Sequence, residues 1–170
     1  HLEIAAIMKK RDGGPAILFP PADDHDMPIV GNLLCCQKNC EAAFGIDFGA
    51  IRTLVGRAMG DPHPPELVEK GPAQENVLTD GFDITELLPA LYHTEADSGR
   101  FITAGVVIAK DPETGVRNAS YHRLQLIGPN RTAIQLDYGR HLRIAFEKAQ
   151  RAGEDLPVVI CIGTDLSLQY

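Results

Sequence analysis

The sequence predicts an α+β protein in two parts: a small N-terminal α/β domain, then an antiparallel meander completed by a helix and a return strand. Three observations point there. Apolar residues recur at helical spacing in the first sixty positions, around two short apolar runs. Between residues 101 and 136 three β-rich runs are separated by the turn sequences Asp111-Pro-Glu-Thr-Gly115 and Gly128-Pro-Asn130. Between the two parts, Asp61-Pro-His-Pro-Pro65 interrupts every periodic pattern, because adjacent prolines remove backbone donors and fix φ.

Each element has its own local signal. Ile4, Ile7 and Met8 share one helix face, and Gly13-Gly14-Pro15 ends that helix. Residues 16–19 and 28–30 are short apolar runs bounded by Pro, Gly and Asp, and read as buried strands. A helix follows over 34–44. In the next, Asp47 serves as N-cap and Ile51, Leu54, Val55 and Ala58 line one face, with Gly60 just past its end. The division is 1–65 as the N-terminal domain, 66–97 as a connector with one short helix at 84–88, and 98–170 as the second unit. In that unit, strands over 101–109, 116–127 and 132–136 form the meander. Arg140 then opens a helix with Leu142, Ala145, Phe146 and Ala149 at i, i+3, i+4 and i+7, closed by Gly153. The apolar run 156–162 is the last strand. Three strands and one return strand do not make an obviously closed sheet, so a continuation is expected, with an exposed apolar edge that favours self-association of the piece alone.

Composition excludes several classes of function. A net charge of −7 over 170 residues, with pI near 5.3, opposes general attraction to nucleic acid or anionic membranes. Trp is absent and aromatics are 6%, so stacking platforms for single strands are scarce. No apolar run approaches the ~18 residues of a membrane span, and the start His1-Leu2-Glu3-Ile4 shows no signal-peptide pattern. Cys35, Cys36, Cys40 and Cys161 form no secreted disulfide framework. Cys36 and Cys40 share a helix face, but the spacing fits no common zinc pattern. Buried free thiols in a reducing cytoplasm are the expectation.

Charge is unevenly spread. Residues 61–100 are strongly acidic, whereas 115–151 carry Arg117, Arg123, Arg131, Arg140, Arg143, Lys148 and Arg151 against Asp137 and Glu147. That basic segment either hides an anion site or forms solvated faces. Its informative residues are Asn118, Arg140 and His141. A carboxamide oxygen and an imidazole are acceptable ligands for a hard or borderline divalent ion, though a third ligand is needed. The helix opening at Arg140 presents backbone N–H groups to an anion. Phosphate plus a divalent cation therefore unites the three; an edge-strand amide and a helix-capping imidazole explain them equally simply. Asn118 and Arg123 are five residues apart and face opposite sides of a flat strand. A shared ligand thus requires a bulge, expected within 119–122, or a ligand that wraps the strand's end. The cluster from His93 to Arg100 is read as a loop held by Asx and hydroxyl hydrogen bonds. No nucleophile elbow, Walker loop, His-Glu-x-x-His or dinucleotide-binding glycine triplet is present.

Leu2-Glu-Ile-Ala-Ala-Ile-Met8, Gly14-Pro-Ala-Ile-Leu-Phe19 and Met27-Pro-Ile-Val-Gly-Asn32 resemble the N-terminal domain of the UbiD family of decarboxylases. Asp97-Ser-Gly-Arg-Phe-Ile-Thr103, Asp111-Pro-Glu-Thr-Gly115 and Asn118-Ala-Ser-Tyr-His-Arg123 extend the resemblance over essentially the whole chain. It implies that the second unit is the first half of a flavin-reductase-like split β-barrel. It implies reversible, non-oxidative decarboxylation of an aromatic or α,β-unsaturated carboxylic acid with prenylated FMN, a divalent metal (usually manganese) and often potassium. Carried over by position, Asn118 and His141 would hold the metal that grips the cofactor phosphate, with Arg140 beside them. Ser120, Tyr121 and Arg123 would contact the flavin, and Arg123 would also hold the substrate carboxylate. The family's glutamate metal ligand, proton donor and dimerising C-terminal domain have no counterpart here. The chain is thus expected to be a fragment or a shortened relative, inactive alone and homo-oligomeric when full length, with a flavin prenyltransferase supplying cofactor. Other readings are a truncated non-catalytic subunit or scaffold, and an FMN-binding reductase.

Overall fold

The computed structural model describes residues 2–21 and 25–170. His1 and residues 22–24, part of the Asp-rich loop before His25, lie outside the described residues, as do the readings that rest on them. Helix α1 (Glu3–Lys10) is followed by β1 (Ile17–Phe19) and β2 (Ile29–Gly31), which pair antiparallel as a two-stranded ribbon. These strands are not buried, as the sequence suggested: Phe19 is covered, but Leu18 and Val30 are exposed. The face they occupy is only loosely covered: Val30 borders an open cavity shared with residues 88–91 and 101–104. Gly31 permits close approach of α1, since a Cβ there would lie 2.3 Å from Met8 Sδ.

Helix α2 (Gln37–Phe44) begins three residues later than expected. Asn32 adopts a positive φ of 58°, and its carbonyl accepts from Cys35 Sγ and Asn39 Nδ2, which holds the intervening residues in a turn. Helix α3 (Phe48–Gly60) is capped by Asp47, whose carboxylate accepts from Gly49 N at 2.9 Å, and buries Ile51 completely. It runs one residue further than expected, taking in Gly60. Residues 61–71 have no helix or strand. The short α4 (Ile84–Leu87) is capped by Asp83 and anchored by Ile84 N donating to Pro129 O.

The second unit is a four-stranded antiparallel sheet in the order β5-β4-β3-β6. Its strands are β3 (Phe101–Lys110), β4 (Arg117–Gly128), β5 (Arg131–Ile134) and β6 (Val158–Cys161). The meander is as expected, and the return strand joins the free side of β3. That last strand is shorter than the apolar run. Pro157 cannot donate at its start and Gly163 takes φ +71° after its end, while Val159 stays 61% exposed on an edge paired on one side. Helix α5 (His141–Ala152) lies on one face, buries Leu142, Ala145 and Ala149, and packs Leu142 against Val107, Ala109 and Leu124; Phe146 sits at its margin. Helix α6 (Leu166–Gln169) returns to α2, where the Phe44 and Tyr170 rings meet edge to face at 5.1 Å. No helix among the described residues is long and apolar enough to cross a membrane.

Candidate functional site: a carboxamide and imidazole pair at a helix start

Two ties fix α5 relative to β4. One is its apolar face. The other is Lys148, whose ammonium lies 2.7 Å from Asp111 Oδ2 and 2.9 Å from Glu113 Oε2 in the β3–β4 turn. Asp111 Oδ1 also accepts from the backbone N–H groups of Glu113 and Thr114. Lys148 first, then those amides, hold the Asp111 carboxyl well below its usual range, at about 2, and the same pairing raises Lys148. Gly115 completes the turn at φ +71°, open to glycine without steric cost.

With α5 so placed, its first residue reaches the second residue of β4. His141 Nδ1 lies 3.2 Å from Asn118 Oδ1. The amide's other end, Nδ2, donates to Ser120 Oγ at 3.1 Å, and Ser120 Oγ lies 3.0 Å from His122 Nε2. Alternation along β4 puts Asn118, Ser120 and His122 on one face, ahead of buried Leu124. These three, with Tyr121, Asp137, Arg140, His141 and Leu142, line a cavity of about 400 Å³. Arg140 is the extended N-cap of α5 and makes no side-chain cap bond, so the first-turn N–H groups are left without that partner.

The donor set suits a divalent cation. Metal–ligand bonds of about 2.1–2.3 Å place adjacent octahedral ligands about 3.0–3.3 Å apart, and the amide oxygen and imidazole nitrogen stand at that separation. Among the described residues no three His, Cys, Asp or Glu side chains cluster as a metal site, so a cation held here needs further ligands.

The other sequence-selected residues lie outside this row. Tyr121 and Arg123 alternate to the opposite face of β4, although Tyr121 still borders the same cavity. Tyr121 donates its hydroxyl to Gln169 Oε1 at 3.0 Å, and partial burial raises its pKa. Arg123 lies 5.9 Å above the Phe101 ring centroid. The bulge expected within 119–122 is not there: β4 pairs with β3 without a break from Arg117 to His122. The irregularity is on the neighbouring strand, between Ile102 and Gly105, where β3 carries an extra residue opposite Arg123. Gly105 explains the placement, because a Cβ there would press to 3.0 Å from Leu124 Cδ1. The alternative route, around the strand, is open. β5 pairs with β4 only from Leu124 onward, so, among the described residues, 117–123 have β3 on one side and no strand on the other.

Of the basic segment, Arg140 alone lines the cavity. Arg143 pairs with Glu147 and stacks 4.9 Å over Tyr138, and Lys148 is spent on the turn. His93 and Thr94 N–H groups donate to Asp97, which closes that loop as expected and lowers the Asp97 pKa. Cys40 is buried, and Cys35, Cys36 and Cys161 are only partly covered. Two cavity residues were not singled out from sequence, His122 and Asp137. The signal for His122 was its even spacing from Asn118 and Ser120; Asp137 had none.

The 3-octaprenyl-4-hydroxybenzoate carboxy-lyase N-terminal domain matches residues 1–63, and the Rift-related domain of the same carboxy-lyase matches residues 66–170. An anhydromevalonate phosphate decarboxylase from Methanosarcina mazei is 41% identical over 166 residues, covering 98% of this chain and 37% of that protein. The enzyme of the same name from Methanothermobacter thermautotrophicus is 34% identical over 163 residues, 96% of this chain and 37% of that protein. An evolved dimeric form of the UbiD-class enzyme HmfF from Pelotomaculum thermopropionicum, solved in complex with prFMN, superposes with a TM-score of 0.90. It shares 36% identity, over 96% of this chain and 39% of that one. The vanillic acid decarboxylase of Sedimentibacter hydroxybenzoicus in closed form gives 0.88 at 26% identity, over 98% of this chain and 38% of that one. The chain therefore spans well under half the length of these relatives. Matched by both family domains across nearly all its residues, it belongs to the UbiD family of decarboxylases.

Proposed function

We propose that this chain supplies the N-terminal domain (1–65), connector (66–97) and first half of the split β-barrel (98–170) of a cytoplasmic, homo-oligomeric carboxy-lyase. The enzyme removes CO2 reversibly from an aromatic or α,β-unsaturated carboxylic acid, using prenylated FMN delivered by a flavin prenyltransferase, with a divalent metal, usually manganese, and potassium. The observation that carries the reading is the convergence of Asn118 and His141, from separate elements, at the spacing of adjacent metal ligands.

Asn118 Oδ1 and His141 Nδ1 would hold the cation, and Arg140 with the α5 amides would meet the cofactor phosphate. When bound, prenylated FMN supplies an electrophilic centre for the substrate. Ser120 on one face and Tyr121 and Arg123 on the other would then touch opposite parts of one ligand crossing the unpaired edge of β4. Arg123 suits a carboxylate through its planar, permanently charged fork. Its stacking partner Phe101 also lines an apolar cavity of about 340 Å³ between β2 and β3, which fits the hydrocarbon part of such an acid. The test is CO2 release from aryl and enoic acids by the whole protein carrying prenylated FMN. Turnover of at least one supports the reading. Cofactor confirmed bound, with no acid of either class turned over, overturns it.

A further inference from the structure

The row Asn118–Ser120–His122 has a direction. Asn118 turns its oxygen to His141 and its Nδ2 to Ser120, so the amide occupies one of the two lone pairs of Ser120 Oγ. What remains to Ser120 is one lone pair and one proton, and His122 Nε2, at 3.0 Å, takes one or the other. If Nε2 is bare, it accepts the serine proton, and Ser120 offers the cavity only an acceptor. If Nε2 carries hydrogen, it fills the second lone pair, and the serine proton is turned outward as a donor. A flavin nucleotide offers mainly acceptors, its phosphate oxygens and ring carbonyls, so only the second arrangement is productive.

We propose that His122 is a positioning residue: by donating Nε2–H to Ser120 Oγ it turns the serine hydroxyl toward the bound flavin nucleotide. The inference rests on the flavin-binding reading above. His122 does not touch the ligand in this assignment; it acts through Ser120, and Asn118 keeps the same orientation whether its oxygen meets His141 or a cation.

The experiment measures FMN binding by the whole protein with Mn2+, through quenching of flavin fluorescence, for wild type, H122L, H122Q, S120A and S120A/H122L. H122L, which has no donor, is expected to weaken FMN binding about 5-fold. H122Q, whose side-chain amide places an N–H near the Nε2 position, is expected to stay within about 2-fold of wild type. Adding H122L to S120A should cost nothing further, because its route is already gone. In the unmutated FMN complex, 15N NMR of the His122 ring should show Nε2 protonated. H122L equal to wild type, H122Q as weak as H122L, additive losses, or a bare Nε2 in the complex each overturn the assignment. A wild-type protein that binds no FMN overturns the flavin reading itself, and this inference with it.

Discussion

Replacing Leu142 by Ala is expected to loosen α5 from the sheet by about 2–3 kcal/mol. Leu142 is 3% exposed and packs against Val107, Ala109 and Leu124. Leu→Ala in enclosed cores costs about 2.7–5 kcal/mol, rising with the volume of the hole left behind. Leu142 also borders the two open cavities of about 400 and 570 Å³ on either side of it, so neighbours and water can enter the hole; the lower end applies. The assay is amide hydrogen exchange, under conditions where reclosing outpaces exchange. Amides in the middle of α5, such as those of Ala145 and Ala149, should exchange about 30- to 160-fold faster in L142A, since each ~1.4 kcal/mol is a factor of ten. Ile144, on the same helix but 40% exposed, is the control, and I144A should change those rates by no more than about 3-fold. Equal effects from the two variants would refute the assignment of Leu142 as the residue that docks α5. Because His141 is the preceding residue, L142A should also weaken Mn2+ uptake.

Other outcomes follow from the same contacts. The Asp111 carboxyl, held at about 2, helps the β3–β4 turn at full strength above its ordinary value of 3.8 and loses that help as pH falls through about 2; Lys148, raised, loses its share as pH climbs past its own value. Carboxyl NMR should show the Asp111 midpoint rising toward 3.8 in K148M, and an unmoved midpoint would contradict the pairing. Asp97→Asn should speed exchange of the His93 and Thr94 amides several-fold, because both donate to that carboxylate; unchanged rates would place the loop's support elsewhere. Gly105→Ala should destabilise the β3–β4 ladder by about 1 kcal/mol through its contact with Leu124 Cδ1, read as faster exchange in both strands. In the whole enzyme, Arg123→Lys should lower kcat/KM about 100-fold while leaving Mn2+ affinity intact, and a variant with normal turnover would remove Arg123 from the chemistry.

Elements whose signals are local were legible in the sequence. The Asp47 cap, the two meander turns and the apolar stripe of α5 depend on neighbours within a few residues, and each stands where its residues place it. What the sequence hid depends on partners far along the chain. Leu18 and Val30 look like core by composition, but burial needs close packing on both faces of the ribbon, and Val30 meets an open cavity instead. The odd spacing of Asn118 and Arg123 calls for a bulge on β4 if they share a ligand; the irregularity lies on β3 instead, beside the tight packing at Gly105. In the candidate site, Asn118, Arg140 and His141 were visible by chemistry and family resemblance. Asp137 and His122 enter only when strand alternation and the return of α5 are both in place.

The central claim is that Asn118 and His141 together hold a divalent cation. Electron spin-echo spectroscopy of Mn2+ bound to the whole protein with FMN tests it most directly. Modulation from a directly bound imidazole nitrogen is predicted in wild type and should vanish in H141A, with N118A weakening the ion's binding. Tight Mn2+ with no such nitrogen in wild type, or the same signal in H141A, would contradict the claim.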